Sequence, residues 1–178
     1  MVTRKGIVFL LLSTCVLMAV FAVGKEMKKM SSVTVSSPTF SYNGSIPSRF
    51  TCDGQDTSPP LQFGNVPQAA RSLALIMDDP DAPAGTWVHW VAWNIPPGIG
   101  EIREGSVPEG MQQGLNSWKR NSYGGPCPPS GTHRYFFKVY ALDSTLELPL
   151  STTKSGLEKA MKGHVLGSGE LMGTYRRQ

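Results

Sequence analysis

Residues 72–80 read SLALIMDDP, a continuous apolar run that stops at a turn-forming Asp-Asp-Pro group. A short apolar run bounded by a turn is typical of a strand buried inside a sheet. Residues 87–95 (WVHWVAWNI) and 133–142 (HRYFFKVYAL) have the same character and are rich in aromatic and β-branched side chains. Together the three stretches predict the core strands of a β-rich sandwich or barrel.

The remainder of the chain fits one domain of this class. With 178 residues, 40% of them apolar and only 17% charged, the chain can bury a single core but is not rich in solvated helices. Residues 33–35 and 171–175 are predicted as further strands. One segment is predicted as a helix, because Thr152 or Thr153 can cap its start and apolar residues follow at helical spacing. Those residues are Leu157, Met161, His164 and Val165.

The first 24 residues have the layout of a secretory signal. Two cations, Arg4 and Lys5, precede an uncharged apolar stretch that ends at Gly24. We predict a signal peptide at 1–24 that is cleaved before Lys25, a linker at 25–32 and a folded domain at 33–178. An uncleaved membrane anchor and a lipoprotein attached through Cys15 are alternatives, and all three place the domain outside the cytoplasm, in the periplasm or secreted.

Charge and cysteine content restrict the partners. Without residues 1–24 the chain has 15 basic and 13 acidic residues, a net charge of +2, and no basic run interleaved with aromatics, which argues against nucleic-acid binding. Cys52 and Cys127 remain, and in an oxidising compartment they form either a disulfide or two separate buried thiols. Neither lies in a CxxC pair, so we predict no metal site.

Polar side chains lie inside or at the ends of the three most apolar strands. Because alternate residues of a strand share a face, Trp87, His89 and Val91 are expected to point one way, and the residues from His133 onward alternate likewise. Each set places a polar head among apolar neighbours, as small-molecule pockets do. The Gly-Gly-Pro stretch is expected to leave the N–H of Gly125 free for an anion. Taken singly, residues of these types in such positions more often have a structural role than a ligand-binding one.

Taken together, several segments resemble the phosphatidylethanolamine-binding protein family, and specifically its bacterial branch, which is often labelled Raf kinase inhibitor-like. The segments are residues 79–83 (DPDAP), 88–90 (VHW) and 125–135 (GPCPPSGTHRY), with 50–54 (FTCDG) and 58–61 (SPPL) as further features of the branch. The similarity extends over residues 33–177.

The resemblance implies an antiparallel β-sandwich with short peripheral helices, one near the C-terminus, and a small anion pocket. It also implies a cis peptide bond before Pro83, beside that pocket. No cofactor is implied. Matched residue by residue, the ligand-binding residues are Asp79, Asp81, His89, Gly125, His133 and Tyr135.

The function we expect is that of an exported, non-catalytic protein that binds phosphate-bearing ligands, either a phospholipid head group or a phosphorylated small molecule. A protein-interaction role resembling a protease or kinase inhibitor is one alternative. A hydrolase is another, although the sequence contains neither a nucleophile elbow nor an HExxH motif. Contact with a membrane is expected only if the leader is uncleaved, and the sequence identifies no protein partner.

Overall fold

The computed structural model describes residues 30–177. The signal peptide predicted at 1–24, its two alternatives and residues 25–29 of the predicted linker lie outside the described residues. Within them, no helix combines the length and the apolar character needed to cross a bilayer.

The described chain forms two β-sheets and one α-helix. The larger sheet has six strands in the order β1-β9-β8-β4-β5-β7, and the smaller has three in the order β2-β3-β6. All pairings are antiparallel except that of β1 with β9. The elements are β1 Ser31–Ser32, β2 Thr34–Ser36, β3 Leu61–Gly64, β4 Ser72–Asp79, β5 Trp87–Ile95, β6 Glu101–Ile102, β7 Gln112–Gln113, β8 His133–Leu142, α1 Lys154–Met161 and β9 Val165–Tyr175.

The three predicted core strands are β4, β5 and β8, and they lie side by side in the middle of the larger sheet. Strand β4 is buried at all eight positions because both of its faces are covered. Leu73, Leu75 and Met77 belong to the core that also contains Val35 and Phe63 of the smaller sheet. The alternate residues, such as Ala74 and Ile76, face a second core on the opposite side of the sheet. Because both faces of β4 are buried, its apolar run is continuous and does not alternate with polar residues. The prediction of a mainly β sandwich is confirmed.

Helix α1 covers the second face of the larger sheet. Leu157 and Met161 pack there with Ile76 of β4. Asp78 also points to this side and is almost completely buried, yet its carboxylate accepts hydrogen bonds from the ammonium groups of Lys138 and Lys154, at 2.8 and 2.6 Å. The ion pair therefore joins α1 to the central strands.

Two predicted boundaries differ from the structure. The helix ends at Met161, and His164 and Val165 lie beyond it, because Gly163 adopts a positive φ of 88° and reverses the chain into β9. Residues 31 and 32, assigned to the linker, belong to the domain as strand β1. Their backbone runs beside Gly167 and Ser168 of β9 and is paired with it.

We expect Asp78→Ala to lower the free energy of unfolding by about 1.5–3 kcal/mol, because it removes charged hydrogen bonds to a buried carboxylate. Urea denaturation measures the loss. Glu158→Gln is the matched control, since Glu158 is exposed and lies 3.8 Å from the same Lys154 ammonium group, and it is expected to change stability by less than about 0.5 kcal/mol. Equal small losses in both variants would contradict a structural role for the Asp78 ion pair.

Candidate functional site

A β-bulge in β5 positions His89. Trp90 pairs with Met77 and Val88 pairs with Asp78, so His89 is an extra residue with no opposite partner in β4. A bulge resets the alternation of side chains along the strand. Trp87 and His89 consequently line one cavity, as expected, but Val91 faces the core beneath α1, and the prediction that all three share a face is wrong for Val91.

The cavity has a volume of about 400 Å³ and lies where β4 ends and β8 begins. Its polar floor consists of Asp79, His89 and His133, three residues predicted for the site that the fold brings together. The remaining lining is apolar. Each of the three polar residues is less than a tenth exposed, so their interactions are made largely out of water.

His133 and Asp79 form the buried pair at the centre of the floor. The Nδ1 atom of His133 donates a hydrogen bond to Asp79 Oδ2 at 2.7 Å. The other carboxylate oxygen accepts the backbone N–H of Asp81 at 2.8 Å. Because a carboxylate fixes the proton on Nδ1, the Nε2 atom of His133 is the ring nitrogen left for the cavity.

His89 is held in the same way by a backbone carbonyl. Its Nδ1 donates to the Gly124 oxygen at 2.7 Å, and the Gly124 N–H donates back to the His89 oxygen at 3.1 Å. Burial lowers the pKa of His89, and the Gly124 carbonyl and the charge of Asp79 act in the opposite direction. Here too Nε2 is the nitrogen left for the cavity.

Tyr135 supports the floor without lining it. Its ring is fully buried and meets the His89 ring edge-on, with the centroids 5.2 Å apart. Burial and then the negative charge of Asp79 raise the pKa of Tyr135, so its hydroxyl stays protonated. Asp79 and the Cys127 backbone lie close to that hydroxyl, although neither meets the geometry of a hydrogen bond with it.

Asp81 does not line the cavity. Its carboxylate accepts hydrogen bonds from the backbone N–H, Nε and Nη2 of Arg134, at 2.7–2.9 Å. Hydrogen bonding to Arg134 lowers the pKa of Asp81 to about 2. Its side chain is therefore not available as a ligand, and it serves the site through the backbone N–H that holds Asp79.

The prediction of a free N–H at Gly125 is wrong. That amide donates to the Oδ1 atom of Asp56 at 2.6 Å. The Gly125 backbone is also packed so closely that an added Cβ would lie 2.5 Å from the Phe50 oxygen. Asp56 thus takes the place that an anion was expected to occupy, and Gly125 instead fixes the loop that carries Gly124.

Two further expectations concern the rim. Cys52 and Cys127 are joined in the structure with a sulfur–sulfur distance of 2.07 Å, and Cys127 lines the cavity. Pro83 also lines the cavity, but the predicted cis bond is wrong, since every peptide bond of the described residues is trans. The turn is made by Gly85, whose φ is +96° and whose N–H donates to the Ala82 oxygen.

Sequence reasoning missed Trp118, which forms one wall of the cavity. Its ring meets His89 and Trp87 edge-on, at centroid distances of 5.0 and 5.4 Å. The available signal was a large aromatic residue in an otherwise polar segment, residues 116–122 (NSWKRNS), where no core pattern accounts for it.

The floor can act as a hydrogen-bonding site for an anion. Two Nε2 atoms accept hydrogen bonds when the imidazoles are neutral and donate them, with a positive charge, when the imidazoles are protonated. Within residues 30–177 no three His, Cys, Asp or Glu side chains are grouped as a metal site requires.

Comparison with known proteins gives a consistent result. A family model described as phosphatidylethanolamine-binding protein matches residues 36–176. A "UPF0098 protein" of Methanothermobacter thermautotrophicus is 52% identical over 143 residues, which cover 78% of this chain and 95% of that protein. A "UPF0098 protein" of Pyrococcus horikoshii is 45% identical over 183 aligned positions, covering 98% of this chain and 91% of the relative.

Two solved structures are similar over most of the chain. One is a crystal structure of a phosphatidylethanolamine-binding protein homolog from Chlamydia trachomatis, with 41% sequence identity and a TM-score of 0.80. The other is E. coli YbcL, described as a member of the mammalian family, with 26% identity and a TM-score of 0.77. Each comparison covers 83% of this chain and 99% of the other.

Proposed function

Since this chain belongs to the phosphatidylethanolamine-binding protein family, we propose that it is a non-catalytic binding protein whose cavity takes the phosphate group of a small molecule or of a lipid head group. The observation that carries the proposal is the pairing of both Nδ1 atoms, His133 with Asp79 and His89 with the Gly124 carbonyl. This pairing orients two Nε2 atoms at the floor of one cavity.

Proton uptake converts the two Nε2 atoms into charge-assisted donors. An anion at the floor favours the protonated imidazoles, and each hydrogen bond to a charged group contributes about 1.5–3 kcal/mol. The Asp79 carboxylate lies 2.7 Å from His133 Nδ1 and orients that ring, so that its Nε2 atom is the one left for the anion. A protonated phosphate ester achieves the same match by donating its own proton to a neutral Nε2.

The composition of the lining supports a binding role over a hydrolytic one. Hydrolysis through a serine, threonine, cysteine or aspartate intermediate needs that nucleophile free and beside a base. The cavity-lining residues described here include neither serine nor threonine, and the sulfur of Cys127 is bonded to Cys52. Asp79 is already committed to His133 and to the amide of Asp81.

The protein is exported, in this proposal, and works in the periplasm or medium. Its support is the charged and then apolar leader at residues 1–24, together with the joining of Cys52 to Cys127, since disulfides persist in oxidising compartments.

We expect His89→Ala and His133→Ala each to weaken the binding of inorganic phosphate about ten- to hundred-fold, because each removes one charge-assisted hydrogen bond. Titration calorimetry at slightly acidic pH measures this. His164→Ala is the control, since His164 lies in the turn before β9 and pairs with Asp143, and its affinity should equal that of the wild type. Equal affinities in all three variants, or release of alcohol from an added phosphate ester, would overturn the proposal.

The pH dependence should be visible with sulfate, which does not titrate in the neutral range. Because burial lowers the pKa of His89, its charge is gained only at a pH below the ordinary histidine range, and a bound anion raises that pKa in return. Sulfate affinity is therefore expected to rise as the pH falls, and less steeply in His89→Gln, which cannot gain charge. A wild-type affinity that does not change between about pH 8 and pH 5 would contradict protonation of the floor.

Intact-mass analysis tests the compartment. Protein recovered from the periplasm or medium should begin at Lys25 and lack the two thiol hydrogens of Cys52 and Cys127. A mass that retains Met1 would identify an anchor, and a diacylglycerol adduct on Cys15 would identify a lipoprotein. A full complement of thiol hydrogens under non-reducing conditions would refute the disulfide.

A further inference from the structure

We infer that the phosphate ligand carries a compact apolar substituent, such as a short alkyl or aryl group, and that Trp118 determines this preference. The inference rests on the proposed function, because it assumes that the phosphate group lies at the floor formed by His89 and His133. It concerns the upper part of the cavity, which that function leaves unassigned.

A phosphate group alone does not fill the cavity. A volume of 400 Å³ corresponds to the liquid volume of about thirteen water molecules, whereas a phosphate has five heavy atoms. Above the floor, the cavity is lined by hydrophobic side chains that include Trp87, Trp118, Pro83, Pro128 and Pro129. Water makes few hydrogen bonds to such a surface, so replacing that water with an apolar group is favourable.

The Trp118 wall is held in place before any ligand arrives. The Oδ1 atom of Asn116 accepts the backbone N–H groups of Trp118 and Arg120, both at 3.0 Å. Asn116 is itself buried, and its Nδ2 donates to the Ser122 oxygen at 3.0 Å. Lys119 completes the turn with a φ of +60°. These bonds fix the backbone that carries Trp118, and contacts with His89 and Trp87 hold its ring, so the residue loses little conformational freedom on binding.

Trp118 is also placed within reach of any group attached to a phosphate at the floor. Its ring packs directly on Gly124, where an added Cβ would lie 2.6 Å from the Trp118 Cζ3 atom. Gly124 is the residue whose carbonyl holds His89. Trp118 nevertheless remains 37% exposed, which is much for so large an aromatic residue, and a ligand would cover this surface.

Charge distinguishes an apolar substituent from a cationic one. Asp79 is the one carboxylate among the described lining residues, and it already accepts hydrogen bonds from His133 and the Asp81 amide. An ethanolamine ammonium group would lose water at the cavity without a free carboxylate to pair with. Because the faces of Trp87 and Trp118 could still attract a cation, phosphorylethanolamine is the ligand that must be compared with an apolar phosphate ester.

The test compares three probes by titration calorimetry at one pH: inorganic phosphate, phenyl phosphate and phosphorylethanolamine. For the wild type we expect phenyl phosphate to bind at least about tenfold more tightly than either of the others. Trp118→Ala should reduce this preference, taken as the ratio of the two affinities measured in that variant, to about threefold or less. Tyr42→Ala removes an exposed aromatic side chain that does not line the cavity and should leave all three affinities unchanged.

The outcomes separate the inference from the function on which it rests. Phosphate that binds as tightly as phenyl phosphate, or phosphorylethanolamine that binds most tightly, overturns the inference but preserves a phosphate site. Failure of all three probes to bind overturns the proposed function as well. Trp118→Phe keeps an aromatic ring and should retain part of the preference for phenyl phosphate. The unfolding curve of Trp118→Ala shows whether that variant is folded, so a loss of preference through misfolding is recognised.

Discussion

The hydrogen bond from His133 Nδ1 to Asp79 Oδ2 is the interaction on which the site depends. It joins the end of β4 to the beginning of β8, the two neighbouring strands at the centre of the larger sheet. A carboxylate buried to this degree is costly unless it is paired and hydrogen-bonded. The pairing with His133 and with the Asp81 amide meets that requirement, and it leaves the cavity with an oriented imidazole.

Two adjacent aspartates of β4 have different roles, Asp78 in stability and Asp79 at the candidate site. Asp78 and Asp79 are consecutive in β4, so their side chains leave opposite faces. Asp78 lies beneath α1 and pairs with two lysines, whereas Asp79 lies at the floor of the cavity beside two histidines. The same residue type thus fastens the helix on one face of the sheet and organises the candidate ligand site on the other.

Much of this fold can be read from the sequence, because β4, β5 and β8 are apolar along lengths that only a buried strand explains. The site is partly readable, since Asp79, His89 and His133 lie at or near the ends of those strands. The bulge at His89 cannot be predicted from the sequence. An alternating pattern of side chains gives no sign of where one extra residue has been inserted. The partner of Gly125 is equally hidden, since Asp56 lies 69 positions away in sequence and the pairing arises only when the loops meet. The sequence predicts too long a helix, because His164 and Val165 keep the helical spacing by chance after Gly163 has reversed the chain.

In the proposed site both imidazoles carry their proton on Nδ1 and present Nε2 to the ligand. Long-range proton–nitrogen correlation spectra of the ¹⁵N-labelled protein report the protonation of each ring nitrogen directly. At a pH where the imidazoles are neutral, we expect the Nδ1–H tautomer for His89 and His133. Phosphate should shift both Nε2 resonances and leave the resonances of His164 unchanged. The Nε2–H tautomer at either residue, or Nε2 resonances that do not respond to saturating phosphate, would contradict this arrangement.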